Sequence, residues 1–140
     1  LVSDYGHHPT EIKVTVEAAR EKWPKRNIWL IYQPHQYQRT FYLFKDFVKV
    51  LSDLPIQKLL IMDIYDVAGR EEGSIYKKTS SLQLAQEIQK NKPPFKVLHT
   101  PSATDAKKYL SKFVQSGDIV MVMGAGDIYK NLTLQLTRSL

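Results

Sequence analysis

Cysteine is absent from the 140 residues, which excludes disulfides and thiolate metal sites and suits a cytoplasmic protein. Long apolar runs are absent too. The longest wholly apolar stretches are about five residues, far below the roughly 20 that a membrane helix needs. No signal peptide is visible at the start, and no internal repeat or low-complexity tract interrupts the chain. The pattern G-x-x-x-x-G-K-[ST] occurs nowhere, so the usual apparatus for cradling a triphosphate is missing. No two of the four histidines stand at helical i, i+4 spacing, which leaves no helical metal pair.

The composition is that of one globular domain. Hydrophobic residues make up 43% and charged residues 24%, which rules against disorder and provides for a real core. The formal charge of +6 brings nucleic acid into consideration. The basic residues are scattered, however, with Lys22, Lys25 and Arg26 in one place, Lys77 and Lys78 in another, and Lys107 and Lys108 in a third. No stacking aromatics interleave with them. A solvated face, or attraction for small anionic substrates, is the reading, with neither nucleic acid nor a membrane as partner.

Strand and helix patterns alternate. Apolar runs over residues 28–32, 59–62, 95–98 and 119–123 read as strands, the first buried on both faces and the last the most apolar. Between them, Ile12, Val16, Ala19 and Trp23 form a helical stripe after Pro9, which suits a first helical position. Phe41, Phe44, Val48 and Leu51 form a second, following a polar loop that ends at Thr40. Leu84, Ala85 and Ile88 follow a capping Ser80 or Ser81. Ala106, Leu110 and Phe113 follow Ser102, with Asp105 completing an acidic capping box. Ile128, Leu132 and Leu136 mark the last helix. The expected architecture is a Rossmann-like three-layer α/β domain over residues 1–140, with a mostly parallel sheet of at least four strands.

In such a sheet, chemistry gathers at the carboxyl ends of the strands. Four groups of residues qualify. His7-His8, with His35 farther on, read as metal ligands, as substrate-facing imidazoles, or as caps. Arg39, just before the helix at Phe41, caps that helix, pairs with a surface carboxylate, or clamps an anion with its planar fork. Gly124-Ala125-Gly126-Asp127 is either a bare turn with an aspartate cap or a turn whose amides face a ligand. Asp63, Asp66, Glu71 and Glu72 are solvated loop acids or weak Mg²⁺ ligands.

Three ordered motifs carry a resemblance: Asp4-Tyr5-Gly6-His7-His8-Pro9-Thr10-Glu11, Gln33-Pro34-His35-Gln36-Tyr37-Gln38-Arg39-Thr40 and Met123-Gly124-Ala125-Gly126-Asp127-Ile128. With them the chain resembles the C-terminal domain of the muramyl ligase family of peptidoglycan synthesis, and within it the ligases that join L-alanine to UDP-N-acetylmuramate. The resemblance implies a three-domain enzyme. An N-terminal domain takes the UDP-sugar, a central ATPase domain carries the P-loop and holds ATP and Mg²⁺, and the present domain closes over both. The chain starts almost at a motif, which suggests a domain cut from something longer and, alone, inactive.

Family chemistry activates the muramyl carboxylate as an acyl phosphate. The amine of L-alanine then attacks, and phosphate leaves a tetrahedral intermediate. By resemblance His7 and Arg39 are catalytic, Asp4 meets the ATP ribose, and Tyr5, Gln36, Gly124, Ala125 and Gly126 bind substrate, with no metal ligand in this domain. The family usually has Arg where this chain has Gln36, which leaves half of an anion clamp uncharged. Two rival readings are a tripeptide-recycling ligase of the same family and a freestanding Rossmann-like module that binds nucleotide or nucleic acid.

Overall fold

The computed structural model describes residues 1–67 and 73–139. Five strands, β1 (Val2–Asp4), β2 (Ile28–Tyr32), β3 (Lys58–Ile61), β4 (Lys96–His99) and β5 (Ile119–Met123), form one sheet in the order β1-β5-β2-β3-β4. Every pairing among them is parallel. Helices α1 (Pro9–Lys22), α3 (Phe44–Ser52) and α4 (Ser81–Lys90) pack on one face. Helices α5 (Ala103–Phe113) and α6 (Leu134–Ser139) pack on the other. Alternation along β2 feeds both layers: Ile28, Leu30 and Tyr32 join the first core, while Trp29 and Ile31 join the second.

The local chemistry of the chain accounts for these elements. All five residues of β2 and of β5 are buried, as central strands covered on both faces require. Pro9 opens α1, and the capping box around it uses His8, whose Nδ1 accepts from Thr10 N–H at 3.2 Å while Glu11 Oε1 accepts from His8 N–H at 3.2 Å. Ser80 caps α4 by accepting from Gln83 N–H, and Ser102 with Asp105 forms the box of α5. The neighbouring Ser81 hydroxyl instead donates to Met62 O at 2.6 Å.

Several expectations need correction. The segment read as a loop from Asp4 begins inside β1, a three-residue edge strand whose register comes from pairing with Val122 and its neighbours in β5. The helix expected from Phe41 starts earlier, at α2 (Tyr37–Tyr42), and is broken from α3 at Leu43, where φ is −102° and ψ 15°. Arg39 therefore lies within α2 rather than on the loop before a helix. Phe41 and Phe113, expected inside, are exposed, and Trp23 is only half-buried at the C-cap of α1. Phe113 instead flanks Lys58, whose Nζ lies 4.2 Å from the Trp29 ring centroid and 5.2 Å from that of Phe113. The last helix opens with a π turn (Tyr129–Thr133) before α6. Residues Gly69, Arg70, Glu71 and Glu72 lie outside the described residues.

Candidate functional site

Strand β5 sends its helix to one face of the sheet, while its neighbours β1 and β2 send theirs to the other. The loops leaving these three strands thus separate above the carboxyl edge, and a crevice opens between them where doubly wound folds bind ligands. The three motifs singled out in the sequence are those three loops.

Asp4 ends β1. Its Oδ1 accepts from Gly6 N–H at 2.7 Å, and its carbonyl accepts from Gly124 N–H at 3.3 Å, so the first loop is tied to the turn after β5. Tyr5 is 70% exposed and available to a ligand. Its ring meets His7 edge-on at 5.9 Å, and the His7 ring lies 5.8 Å from that of His35. The carbonyl of His7 accepts from the hydroxyl of Tyr32 at 3.3 Å. Burial holds that phenol far above its usual pKa, so it stays a neutral donor. The tandem histidines consequently separate in role: His8 is the cap of α1, and His7 faces the crevice.

The loop after β2 is held by two hydrogen bonds to the segment after β3. Tyr65 N–H donates to Pro34 O at 2.8 Å, and Gln36 N–H donates to Tyr65 O at 2.9 Å. Gln36 sits at φ 70° and ψ 135°, a conformation that costs a non-glycine residue about 1–3 kcal/mol and persists only where its surroundings impose it. Here they do: the Gln36 carbonyl also accepts from Thr40 N–H and, at 2.9 Å, from Thr40 Oγ1. One turn into α2, Arg39 Nη1 lies 3.3 Å from His35 Nδ1. Burial, then the Arg39 guanidinium and His7, hold the His35 imidazole below its usual pKa.

The turn after β5 completes the crevice. Gly124 lies against Gln33, where a Cβ would come within 3.2 Å of the Gln33 carbonyl oxygen. Ala125 is buried and Gly126 half-buried, packed against the Tyr65 ring. Asp127 is exposed and accepts from the Asn131 side-chain amide at 2.7 Å. A cleft of about 390 Å³ runs along this turn between Tyr65, Asp127, Tyr129 and Lys130. Larger hollows of about 700 and 770 Å³ lie in the outer helical layer beside α3 and α4, and no motif residue lines them.

The structure thus brings together Asp4, Tyr5, His7, Gln36, Arg39, Gly124, Ala125 and Gly126 around one edge. The loop acids do not join them as a group. Asp63 pairs with His99 at 2.7 Å, and Asp66 accepts from Tyr76 at 2.9 Å. Sequence reasoning passed over two residues here, Tyr65 and His99, and gave Gln33 no role beyond its place in the second motif. Tyr65 stacks on His35, with centroids 5.4 Å apart and planes 12° apart. Gln33 is buried with its amide oxygen unpartnered among the described residues, and His99 partners Asp63. The position of Gln33 in the second motif was a usable signal; Tyr65 and His99 carried none.

Residues 1–126 match the family described as Mur ligase, glutamate ligase domain. A UDP-N-acetylmuramate–L-alanine ligase of Wigglesworthia glossinidia brevipalpis is 44% identical over 139 residues, which is 97% of this chain and 28% of that protein. Its namesake in Nitrosomonas eutropha is 44% identical over 130 residues, 93% of this chain and 26% of that protein. The chain therefore spans just over a quarter of the length of these curated relatives. Among solved structures, a UDP-N-acetylmuramate–alanine ligase of Thermotoga maritima has the same fold, at a TM-score of 0.69 and 20% identity over 97% of this chain and 25% of that one. A murein peptide ligase of Psychrobacter arcticus shares it as well, at a TM-score of 0.64 and 20% identity over 96% of this chain and 26% of that one.

Proposed function

The chain belongs to the Mur ligase family, and on that premise we propose that it is the C-terminal, substrate-closing domain of an ATP-dependent cytoplasmic ligase joining L-alanine to UDP-N-acetylmuramate. The observation that carries this reading is the convergence of all three family motifs on one crevice at the sheet's switch point. A condensation of this kind needs a carboxylate, a phosphate leaving group and an amine held together while negative charge develops. Arg39 supplies a permanent cation with a planar fork for a carboxylate or phosphate oxygen. His7 and Tyr5 line the entrance from β1, and the amides of Ala125 and Gly126 offer donors on the opposite wall, where Gly124, its own N–H taken by Asp4, brings the turn close. Asp4 stands where β1 ends and meets the ribose of ATP. Gln36 stands where a second cation is usual, so more of the charge compensation falls to Arg39.

Beyond Asp4 at the ribose, this chain's own side chains do not suit Mg²⁺ or the triphosphate. Among the described residues, no three or more His, Cys, Asp or Glu side chains are grouped to hold a metal ion, and the sequence has no P-loop. ATP and Mg²⁺ are assigned to a central domain and the UDP-sugar to an N-terminal domain, both partners of this one. The tripeptide-recycling alternative is not favoured, because the curated relatives at 38–44% identity are named L-alanine ligases. The test is ATP-dependent ligation by the full-length protein carrying this chain, offered L-alanine, glycine, L-serine and murein tripeptide in turn. Product with L-alanine in marked preference is expected. Preference for tripeptide, or no ligation, would overturn the reading.

A further inference from the structure

We propose that Tyr65 is a positioning residue: its ring, packed against the Gly126 backbone and stacked with the His35 imidazole, holds His35 against Arg39 as the neutral tautomer that donates from Nε2. The inference rests on the ligase reading for its consequence in catalysis, although the geometry stands independently of it.

Three contacts define the arrangement. A Cβ at Gly126 would lie 2.5–2.8 Å from Cγ, Cδ2 and Cδ1 of Tyr65, so bare backbone presses on the ring. The His35 imidazole stacks almost parallel to the same ring, with centroids 5.4 Å apart. The backbone of Tyr65 is itself clamped, with its N–H on Pro34 O and its carbonyl taking Gln36 N–H. The ring therefore has little room to turn, and neither has the imidazole lying on it.

The tautomer follows from elementary chemistry. A guanidinium has donors only, so at 3.3 Å from Arg39 Nη1 the Nδ1 of His35 must accept. The ring proton is then on Nε2, and that N–H is what the imidazole offers a ligand. The groups that face it agree. Arg39 from α2 is a fixed cation, His7 from the β1–α1 loop is a second imidazole, and Tyr65 presents an uncharged ring. Nothing among them supplies the negative charge an imidazolium would need. Arg39 and His35 thus form a pair of hydrogen-bond donors of different charge on one wall, suited to the oxygens of a carboxylate or phosphoryl group.

The experiment reads His35 by side-chain nitrogen NMR in the full-length protein, beside steady-state ligation. In the wild type, a proton on Nε2 and none on Nδ1 is expected, with a titration midpoint below that of an ordinary histidine. Tyr65→Phe keeps the stacked ring and should leave both signals and kcat/KM close to wild type. Tyr65→Leu removes the flat face, and Gly126→Ala displaces the ring. Each should mix the tautomers, raise the midpoint and lower kcat/KM by roughly 10-fold to 100-fold. A wild-type proton on Nδ1 overturns the proposal, as do unchanged His35 signals in whichever of these two variants folds. Absence of ligation in the wild type, with the NMR pattern as expected, contradicts the ligase reading and leaves the positioning role standing.

Discussion

Gly126 lies against the face of Tyr65 so closely that a Cβ would stand 2.5 Å from Tyr65 Cγ. Gly126→Ala must therefore move the ring or the turn, and overpacking of this kind costs about 1–3 kcal/mol. Gly73 makes a control, since a Cβ there meets nothing within 4 Å. Gly73→Ala should stay within about 0.5 kcal/mol of wild type. Denaturant unfolding of both variants separates a local clash from a general glycine effect.

Gln36 is held at φ 70° by hydrogen bonds that use only its backbone. Gln36→Gly keeps those bonds and relieves the strain, so it should stabilise the domain by about 1 kcal/mol. Gln36→Arg should instead leave stability nearly unchanged and tighten substrate binding by restoring a cation beside Arg39. Thermal unfolding and KM measured on the same two variants divide the backbone role from the side-chain role.

His8 and His7 should respond differently to substitution. Loss of the α1 cap in His8→Ala should cost about 1 kcal/mol, and His8→Ser should recover most of it. Neither change should alter kcat by more than about threefold, because the side chain caps a helix and does not line the crevice. His7→Ala should do the reverse, lowering kcat/KM with little loss of stability.

The pH dependence of stability follows from two groups shifted in opposite directions. His35 is depressed, chiefly by burial. As pH falls below the ordinary imidazole value of about 6.5, the unfolded chain takes up this proton before the folded one does, so the His35 contribution declines toward acid. Tyr32 is raised, chiefly by burial. Its contribution is complete below about pH 10 and is lost above it, where the unfolded phenol ionises first. Urea unfolding from pH 5 to 11 should show a plateau between these limits. His35→Asn should flatten the acid limb and Tyr32→Phe the alkaline one.

Much of the fold was legible because the signals were local. Five-residue apolar strands at 28–32 and 119–123, and Ser or Pro caps before helical stripes, each specify an element from its own residues. What was not legible depends on distant partners. Val2–Asp4 has one apolar residue and becomes a strand only by pairing with β5 across more than a hundred residues. Phe41 and Phe44 share a stripe in sequence, yet the break at Leu43 turns Phe41 outward. In the site, the motif loops announced themselves by composition. The Tyr65–His35 stack did not, since no spacing rule joins residues thirty apart in loops that follow different strands.

The crevice above β1, β2 and β5 is expected to act on substrate rather than hold the domain together, and Arg39 tests this most directly. Its one hydrogen bond to a described side chain is the 3.3 Å contact with His35, so Arg39→Ala should cost under about 1 kcal/mol of stability. Loss of a preorganised cation facing developing negative charge should lower kcat/KM by roughly 100-fold or more, and Arg39→Lys should recover only part of it. The measurement is ATP-dependent ligation of L-alanine by the full-length protein and its Arg39→Ala variant, with thermal unfolding of each. A large fall in kcat/KM with an unchanged unfolding midpoint is the predicted result. Full activity in Arg39→Ala, or unfolding that collapses along with the activity, would contradict it.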